Sequence, residues 1–224
     1  MWPKLVKDQA LAGCGRRCCV CQNFCGTNME LHHIQPEADG GASTLENCIP
    51  LCLDCHSEVG HYNSRHPKGT KYRSSELRMH RDAWFKAMAS AERLKHIPSS
   101  QVPALPKEVY EGQSLQFKGY LFQQTFTGPP NYEDFRADAL ENCFLLTLPE
   151  SFRFNYEPIE PIESASSEMI VVPRAQVLHL ILKEHQFSFC KERTGGDVSV
   201  TGRLWPCING HHRGDALIEV DSLD

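Results

Sequence analysis

The sequence predicts an α+β fold of two unlike parts: a small cysteine-rich domain at the N-terminus, closed by a helix, and then a small β-barrel of the OB type. Three observations carry this expectation. Eight of the 11 cysteines fall within the first 55 residues. Residues 98–106, Pro-Ser-Ser-Gln-Val-Pro-Ala-Leu-Pro, form a stiff, polyproline-prone spacer. Beyond it the apolar pattern changes from helical spacing to alternation. The expected division is therefore a domain over 1–97, a linker over 98–108 and a second domain over 109–224. A chain of 224 residues, 41% hydrophobic and 23% charged, fits two small domains and excludes wholesale disorder, collagen and coiled coil. No apolar stretch approaches the ~20 residues that cross a bilayer. The first eight residues also lack the apolar core of a secretory leader.

The cysteines come first. Cys18-Cys19-Val20-Cys21 and Cys52-Leu53-Asp54-Cys55 are two CxxC pairs separated by 30 residues. That spacing suits a closed, tetrahedral site of four sulfurs around structural Zn²⁺, with Cys18, Cys21, Cys52 and Cys55 as ligands. The alternative is that they are small core hydrophobes. Cys19 is expected to be packed between ligands, and Cys14, Cys25 and Cys48 to be buried thiols. An odd cysteine count without an export signal points to a reducing compartment, the cytoplasm.

Between the pairs lie Leu31-His32-His33-Ile34-Gln35-Pro36, Gly40-Gly41 and Asn47; His56 follows the second pair, and His61 comes five residues later. If Met29–Ile34 is a strand, His32 and His33 point to opposite faces. If a helix starts near Leu51, Cys52 and Cys55 share one side of it, and His56 lies about 100° further round. A four-thiolate zinc site has no open position, so a hydrolytic ion would need these histidines instead.

The remaining elements follow from periodicity. Ser75–Lys95 reads as a helix with Leu77, Trp84, Met88 and Leu94 on one stripe and Ser74 or Ser75 as its cap. Strands are expected over Ser114–Phe126 and Asn142–Leu148, and around the alternations Leu178/Leu180/Leu182, Val198/Val200/Leu204 and Ala216/Ile218/Val220. A helical piece, Lys183–Arg193, falls between the third and fourth of these. Three strands, a helix and two strands is the order of an OB-type barrel.

Charge divides with the domains. Residues 1–100 carry 13 basic and 10 acidic side chains; residues 101–224 carry 10 and 18. The formal −5 thus joins a +3 half to a −8 half. Residues 61–96 alone hold nine basic against three acidic residues, as a phosphate backbone requires, or as any solvated face allows. An OB-type barrel suggests base stacking on Phe122, Phe126 or Tyr132, but its acidity argues for recognition or regulation of a protein or small-ligand partner instead.

Taken in order, Cys18-x-x-Cys21, Leu-His32-His33-Ile-x-Pro, Gly-Gly, Asn47 and Leu-Cys52-x-x-Cys55-His56 resemble the zinc-knuckle branch of the HNH endonuclease family, over roughly residues 10–95. The resemblance implies a ββα-metal fold gripping one divalent ion, Mg²⁺ or Mn²⁺ with Ni²⁺ also suitable, and hydrolysis of phosphodiesters in nucleic acid, foremost DNA. It implies that His33 is the general base, that His32 and His56 hold the ion, and that Asn47 fixes the loop and the orientation of the base. His61 departs from the pattern. Relatives often carry a second helical histidine four residues after the first; five residues add about 140° of rotation instead of 40°. His61 is then a phosphate contact or a surface residue. Arg65, Lys68, Lys71 and Arg73 are the candidates for backbone grip. Farther on, Gly128-Pro-Pro-Asn-Tyr-Glu133 and Val200-Thr-Gly-Arg-Leu204…Gly210-His-His212 resemble a bacterial domain family of unknown function, across roughly 112–222. A nuclease joined to a sensor fits bacterial anti-phage defence. The competing readings are a non-catalytic zinc module that binds nucleic acid, and a nuclease silent until a partner engages the barrel.

Overall fold

A computed structural model describes residues 2–60, 72–96, 104–128, 139–158, 168–209 and 211–224. His61, Arg65, Lys68, Lys71, Tyr132, most of the Gly128–Glu133 motif and residues 98–103 of the spacer lie outside the described residues. The chain divides into two compact units, 1–89 with 125–141, and 90–124 with 142–224.

The first unit opens with helix α1 (Lys4–Gly13), which buries Ala10. A tight turn follows, closed by a bridge between Arg17 and Phe24. Its reversal places Gln22 at φ 64°. The buried Arg17 guanidinium donates to the Gln22 carbonyl at 2.9 Å, which holds this unusual conformation. Strands β1 (Met29–His33) and β2 (Cys48–Cys52) pair antiparallel, with Met29 opposite Cys52 and His33 opposite Cys48. Helix α2 (Leu53–Gly60) leaves directly from the end of β2, and the long helix α3 (Ser74–Leu94) follows. The strand runs through Cys52, so α2 begins at Leu53, two residues after Leu51.

Helix α3 spans the expected residues within one position, but its cap differs. The first helical bond runs from Leu77 N–H to Arg73 O, which makes Arg73 the capping residue. Glu76 accepts from the Arg73 N–H in place of a serine cap. Trp84 is fully buried and donates its indole N–H to Cys14 O at 3.0 Å. Two of the basic residues counted toward a phosphate-binding face are engaged within the unit: Arg78 donates to Glu46 O and Arg81 to Leu45 O. They pin the loop that precedes β2.

Most of the second unit is a sheet built from β3 (Glu108–Tyr110), β4 (Ser114–Thr127), β5 (Leu140–Tyr156), β6 (Ile170–Ile181), β7 (Asp197–Trp205) and β8 (Ala216–Leu223), the end of β4 and the start of β5 falling in 125–141. Its order is β3-β5-β4-β7-β8-β6, and β5 pairs with β6 as well. Pairings therefore run from β5 through β4, β7, β8 and β6 back to β5. The β6–β8 and β3–β5 pairs are parallel; β4–β7, β5–β6 and β7–β8 are antiparallel. A short helix, α4 (Phe187–Arg193), preceded by a 3₁₀ turn, lies between β6 and β7.

Strand β5, 17 residues long, is more than twice the length of the expected Asn142–Leu148 because it continues through Pro149. The register shifts between Thr147 and Phe152, so Pro149, which has no N–H to give a ladder, falls in an irregular stretch. Alternating side chains, among them Phe117, Leu121, Leu146, Phe154, Leu178, Val200 and Ile218, fill one apolar core. Two glycines admit close strand approach: a Cβ at Gly119 would sit 2.7 Å from Thr147 O, and one at Gly202 2.2 Å from Glu219 O. Phe122 and Phe126 are buried, 5% and 8% exposed, which corrects their reading as stacking platforms: packing covers their faces.

His179 on β6 is 8% exposed and accepts the Arg213 N–H through Nδ1 at 3.2 Å. Burial foremost, then the nearby His212 and Arg213, lowers its pKa to about 4. The unfolded chain binds a proton here near pH 6.5 that the folded chain refuses, so stability present above pH 6.5 drains away as pH falls toward 4. Thermal melts over this window should register a loss of up to about 3 kcal/mol. A His179→Gln chain, which keeps an acceptor without the charge, should lose less, and an equal loss would disprove the attribution.

Candidate active site and metal centre

The two CxxC pairs are brought together by different means. Cys18 and Cys21 ride on the 17–24 turn, where Cys18 N–H donates to Asn23 O and Gln22 N–H to Cys18 O. Cys52 ends β2, and Cys55 lies in the first turn of α2, its N–H aimed at Cys52 Sγ at 3.3 Å. Cys19 N–H donates to Pro50 O, which ties the turn to the strand. All four sulfurs lie within 4.8 Å of one another. Cys21 Sγ and Cys52 Sγ are 3.8 Å apart. A zinc–sulfur bond of about 2.3 Å puts tetrahedral sulfurs about 3.8 Å apart, so the donor set and spacing suit zinc. Hydrogen bonds from Cys21, Cys52 and Cys55 hold the Cys18 thiol far below its ordinary range, while the contact with Cys18 holds Cys21 and Cys55 above it. Four such sulfurs cannot all shed their protons without a cation between them. Cys14, Cys19 and Cys48 are buried, and desolvation pushes Cys48 up to about 12. Cys25 is only half-buried, contrary to expectation: the turn leaves it at the edge, where its thiol donates to Asn23 O.

Strand alternation separates the paired histidines. On one face of β1 lie Glu30 and His32. His56, from α2, reaches that face: its Nδ1 is 2.7 Å from Glu30 Oε2, and its ring meets His32 edge-on with centroids 5.2 Å apart. Burial foremost lowers the His32 pKa to about 4, so its imidazole is neutral and has a lone pair to offer at neutral pH. Two imidazoles and a carboxylate suit a divalent ion. Among the described residues, only the four cysteines bring three or more such donors within 4.8 Å. Glu30 is the residue that sequence reasoning missed; its place two positions before His32 on a strand was the available signal.

His33 occupies the other face. Its Nε2 is 2.9 Å from Ser43 Oγ and 3.3 Å from Glu37 Oε1, and Ser43 Oγ donates to the same Glu37 oxygen at 3.0 Å. That hydroxyl is the main reason the Glu37 carboxyl titrates below its ordinary range. The Trp2 ring stacks on His33, centroids 3.8 Å apart and planes 15° from parallel.

The loop between the strands is irregular, and Asn47 braces it. Asn47 Oδ1 accepts Gln35 N–H at 2.8 Å, and its Nδ2 donates to Gln35 O and Ala42 O, each at 2.9 Å. The chain passes so close that a Cβ at Gly41 would lie 1.9 Å from Gln35 O; Gly40 adopts φ 81°. This explains the Gly-Gly pair. Of the phosphate-contact candidates only Arg73 is described, and it is exposed at the start of α3.

With this geometry in place, the comparison with known proteins is specific. Residues 18–61 match the HNH endonuclease family model, so the chain carries an HNH endonuclease domain there. A stretch of 55 residues is 40% identical to the type IV methyl-directed restriction enzyme EcoKMcrA of Escherichia coli (strain K12). The match covers 20% of this chain and 19% of that enzyme, so the chain spans about a fifth of the relative's length. Among the described residues no helix is long and apolar enough to cross a membrane.

Two outcomes follow. The wild-type chain should hold one zinc ion, and the Cys52→Ser chain should hold less and lose the helical signal of α2 and α1, because metal binding there would be folding energy. Zinc content by mass spectrometry and circular dichroism check this, and full helicity without zinc would refute it. Asn47→Ala should cost about 1–3 kcal/mol in denaturant unfolding, since it strands three backbone groups of the loop.

Proposed function

We propose that the chain is a metal-dependent endonuclease that hydrolyses phosphodiester bonds of DNA in a restriction or anti-phage setting in the cytoplasm. The observation that carries this reading is the division of the two histidines of an HNH segment across one strand: His33 on one face, and His32 with Glu30 and His56 on the other. The partial likeness to a methyl-directed restriction enzyme supports the setting.

In this reading His32 and His56 hold the catalytic ion, Mg²⁺ or Mn²⁺ with Ni²⁺ as an alternative, and Glu30 orients His56 through its Nδ1. When bound, the ion supplies charge stabilisation for the scissile phosphate and the departing 3′ oxygen. His33, neutral, takes the proton from the attacking water. Asn47 keeps the 35–42 loop in place beneath it. His61, Arg65, Lys68, Lys71 and Arg73 grip the backbone and set position without reading sequence. The four-cysteine zinc is structural, since all its positions are filled by sulfur.

The C-terminal unit, taken as residues 109–224 after the linker at 98–108, is read as an OB-like barrel. The cyclic strand pairing, the parallel β6–β8 pair and the helix between β6 and β7 support this. Its acidity and its buried Phe122 and Phe126 favour regulation or recognition of a partner or small ligand over nucleic-acid grip.

The test is cleavage of supercoiled plasmid, linear duplex and single strand with Mg²⁺, Mn²⁺ or Ni²⁺. His33→Ala should lower turnover at least about 100-fold while retaining zinc and the wild-type circular dichroism spectrum. Wild-type turnover by that variant removes His33 from the mechanism, and DNA binding without cutting by the native chain would favour the non-catalytic zinc module.

A further inference from the structure

We propose that Ser43 and Glu37 are positioning residues that select which ring nitrogen of His33 acts as the base: they keep the proton on Nε2 and leave the lone pair on Nδ1. The inference rests on the nuclease reading above and deepens it.

The argument is a count of donors and acceptors. Glu37 Oε1 is a carboxylate oxygen and only accepts. Ser43 has one hydroxyl proton and directs it at that oxygen, 3.0 Å away. Its Oγ is then left as an acceptor toward His33 Nε2, 2.9 Å away. The second neighbour of Nε2 is the same carboxylate oxygen, at 3.3 Å. Both groups facing Nε2 are therefore acceptors. A lone pair there would meet two others; an N–H meets two partners. In a neutral imidazole one nitrogen carries the proton and the other does not, so protonation of Nε2 makes Nδ1 the basic atom.

The surroundings hold the ring in this pose. Trp2 covers one face at 3.8 Å and is itself anchored, its indole N–H donating to Leu31 O at 3.2 Å. Ser43 and Glu37 both belong to the loop that Asn47 braces through Gln35 and Ala42. Glu37 opens the 3₁₀ turn Glu37–Asp39, and Ser43 follows the Gly41 close approach. The loop's shape thus delivers a hydroxyl and a carboxylate to one nitrogen of the base. Sequence spacing alone gives no reason to single out either residue.

The experiment uses the full-length chain with imidazole nitrogens labelled with ¹⁵N, the His33 signals being assigned with His33→Gln. Two-bond nitrogen–proton spectra report which nitrogen bears the proton, independently of cleavage. His33 should be the Nε2–H tautomer in the wild type and in Ser43→Thr, which keeps the hydroxyl. It should become a mixture in the Ser43→Ala/Glu37→Ala double variant. In parallel, plasmid cleavage with Mg²⁺, Mn²⁺ or Ni²⁺ should show kcat reduced about 10-fold or more in Ser43→Ala, with KM within about twofold of wild type and recovery in Ser43→Thr. A wild-type His33 protonated on Nδ1, or a Ser43→Ala/Glu37→Ala chain that cuts at the wild-type kcat, overturns the positioning role alone. A wild-type chain that cuts no substrate with any of the three ions overturns the nuclease reading, and the catalytic role of this pair with it.

Discussion

Convergence of four cysteine sulfurs within 4.8 Å is the constraint on which the N-terminal unit depends. The unit's only sheet among the described residues is a pair of five-residue strands, and such a hairpin is marginal in water without further support. The sulfur cluster supplies it by clamping the 17–24 turn to the junction of β2 and α2. Because Cys52 is the last residue of the strand and Cys55 sits in the first turn of the helix, the same clamp fixes the angle at which α2 leaves. That angle carries His56 to Glu30 and His32. The cysteine cluster and the candidate catalytic site are thus adjacent in the chain, with Cys55 immediately before His56.

The second requirement is rigidity in an irregular loop. Residues 34–47 lack regular strand pairing, so their backbone groups need other partners. Asn47 satisfies three of them with one side chain, Ile34 N–H reaches Asn47 O, and glycine at 41 removes the atom that would keep the chain apart. Arg78 and Arg81 of α3 hold the end of the same loop through its carbonyls. Part of the positive charge of this region therefore acts on the protein's own backbone. The exposed Arg73 remains directed at solvent.

The second unit is held by a different logic, an apolar interior filled by alternate residues of its strands, with no cluster of metal ligands among its described residues. Its glycines matter where strands crowd, at Gly119 and Gly202. Two of its histidines accept backbone N–H groups: His179 takes the Arg213 N–H and His212 the Ile208 N–H.

Much of this was legible in the chain. Two CxxC pairs at the right separation announce one tetrahedral site, since metal geometry leaves little freedom. Alternation announces β7 and β8, since the side-chain period of a strand is two. The stripe on 74–94 announces α3, since one helix face must be buried. Adjacent histidines on a strand must diverge, for the same reason of period. Other features were not legible, because they depend on atoms that meet only after folding. The extent of β5 through Pro149 depends on an irregular register that its neighbour tolerates. The burial of Phe122 and Phe126 depends on what packs over them. Glu30 gains meaning from His56, 26 residues away, and Ser43 and Glu37 from the nitrogen of His33 that the loop brings them to. Local periodicity and cysteine spacing determined which residues form the elements and the four-cysteine cluster. Tertiary structure alone decided which polar groups meet around the histidines, because a hydrogen bond needs placement to a few tenths of an ångström, and no sequence pattern specifies a loop that finely.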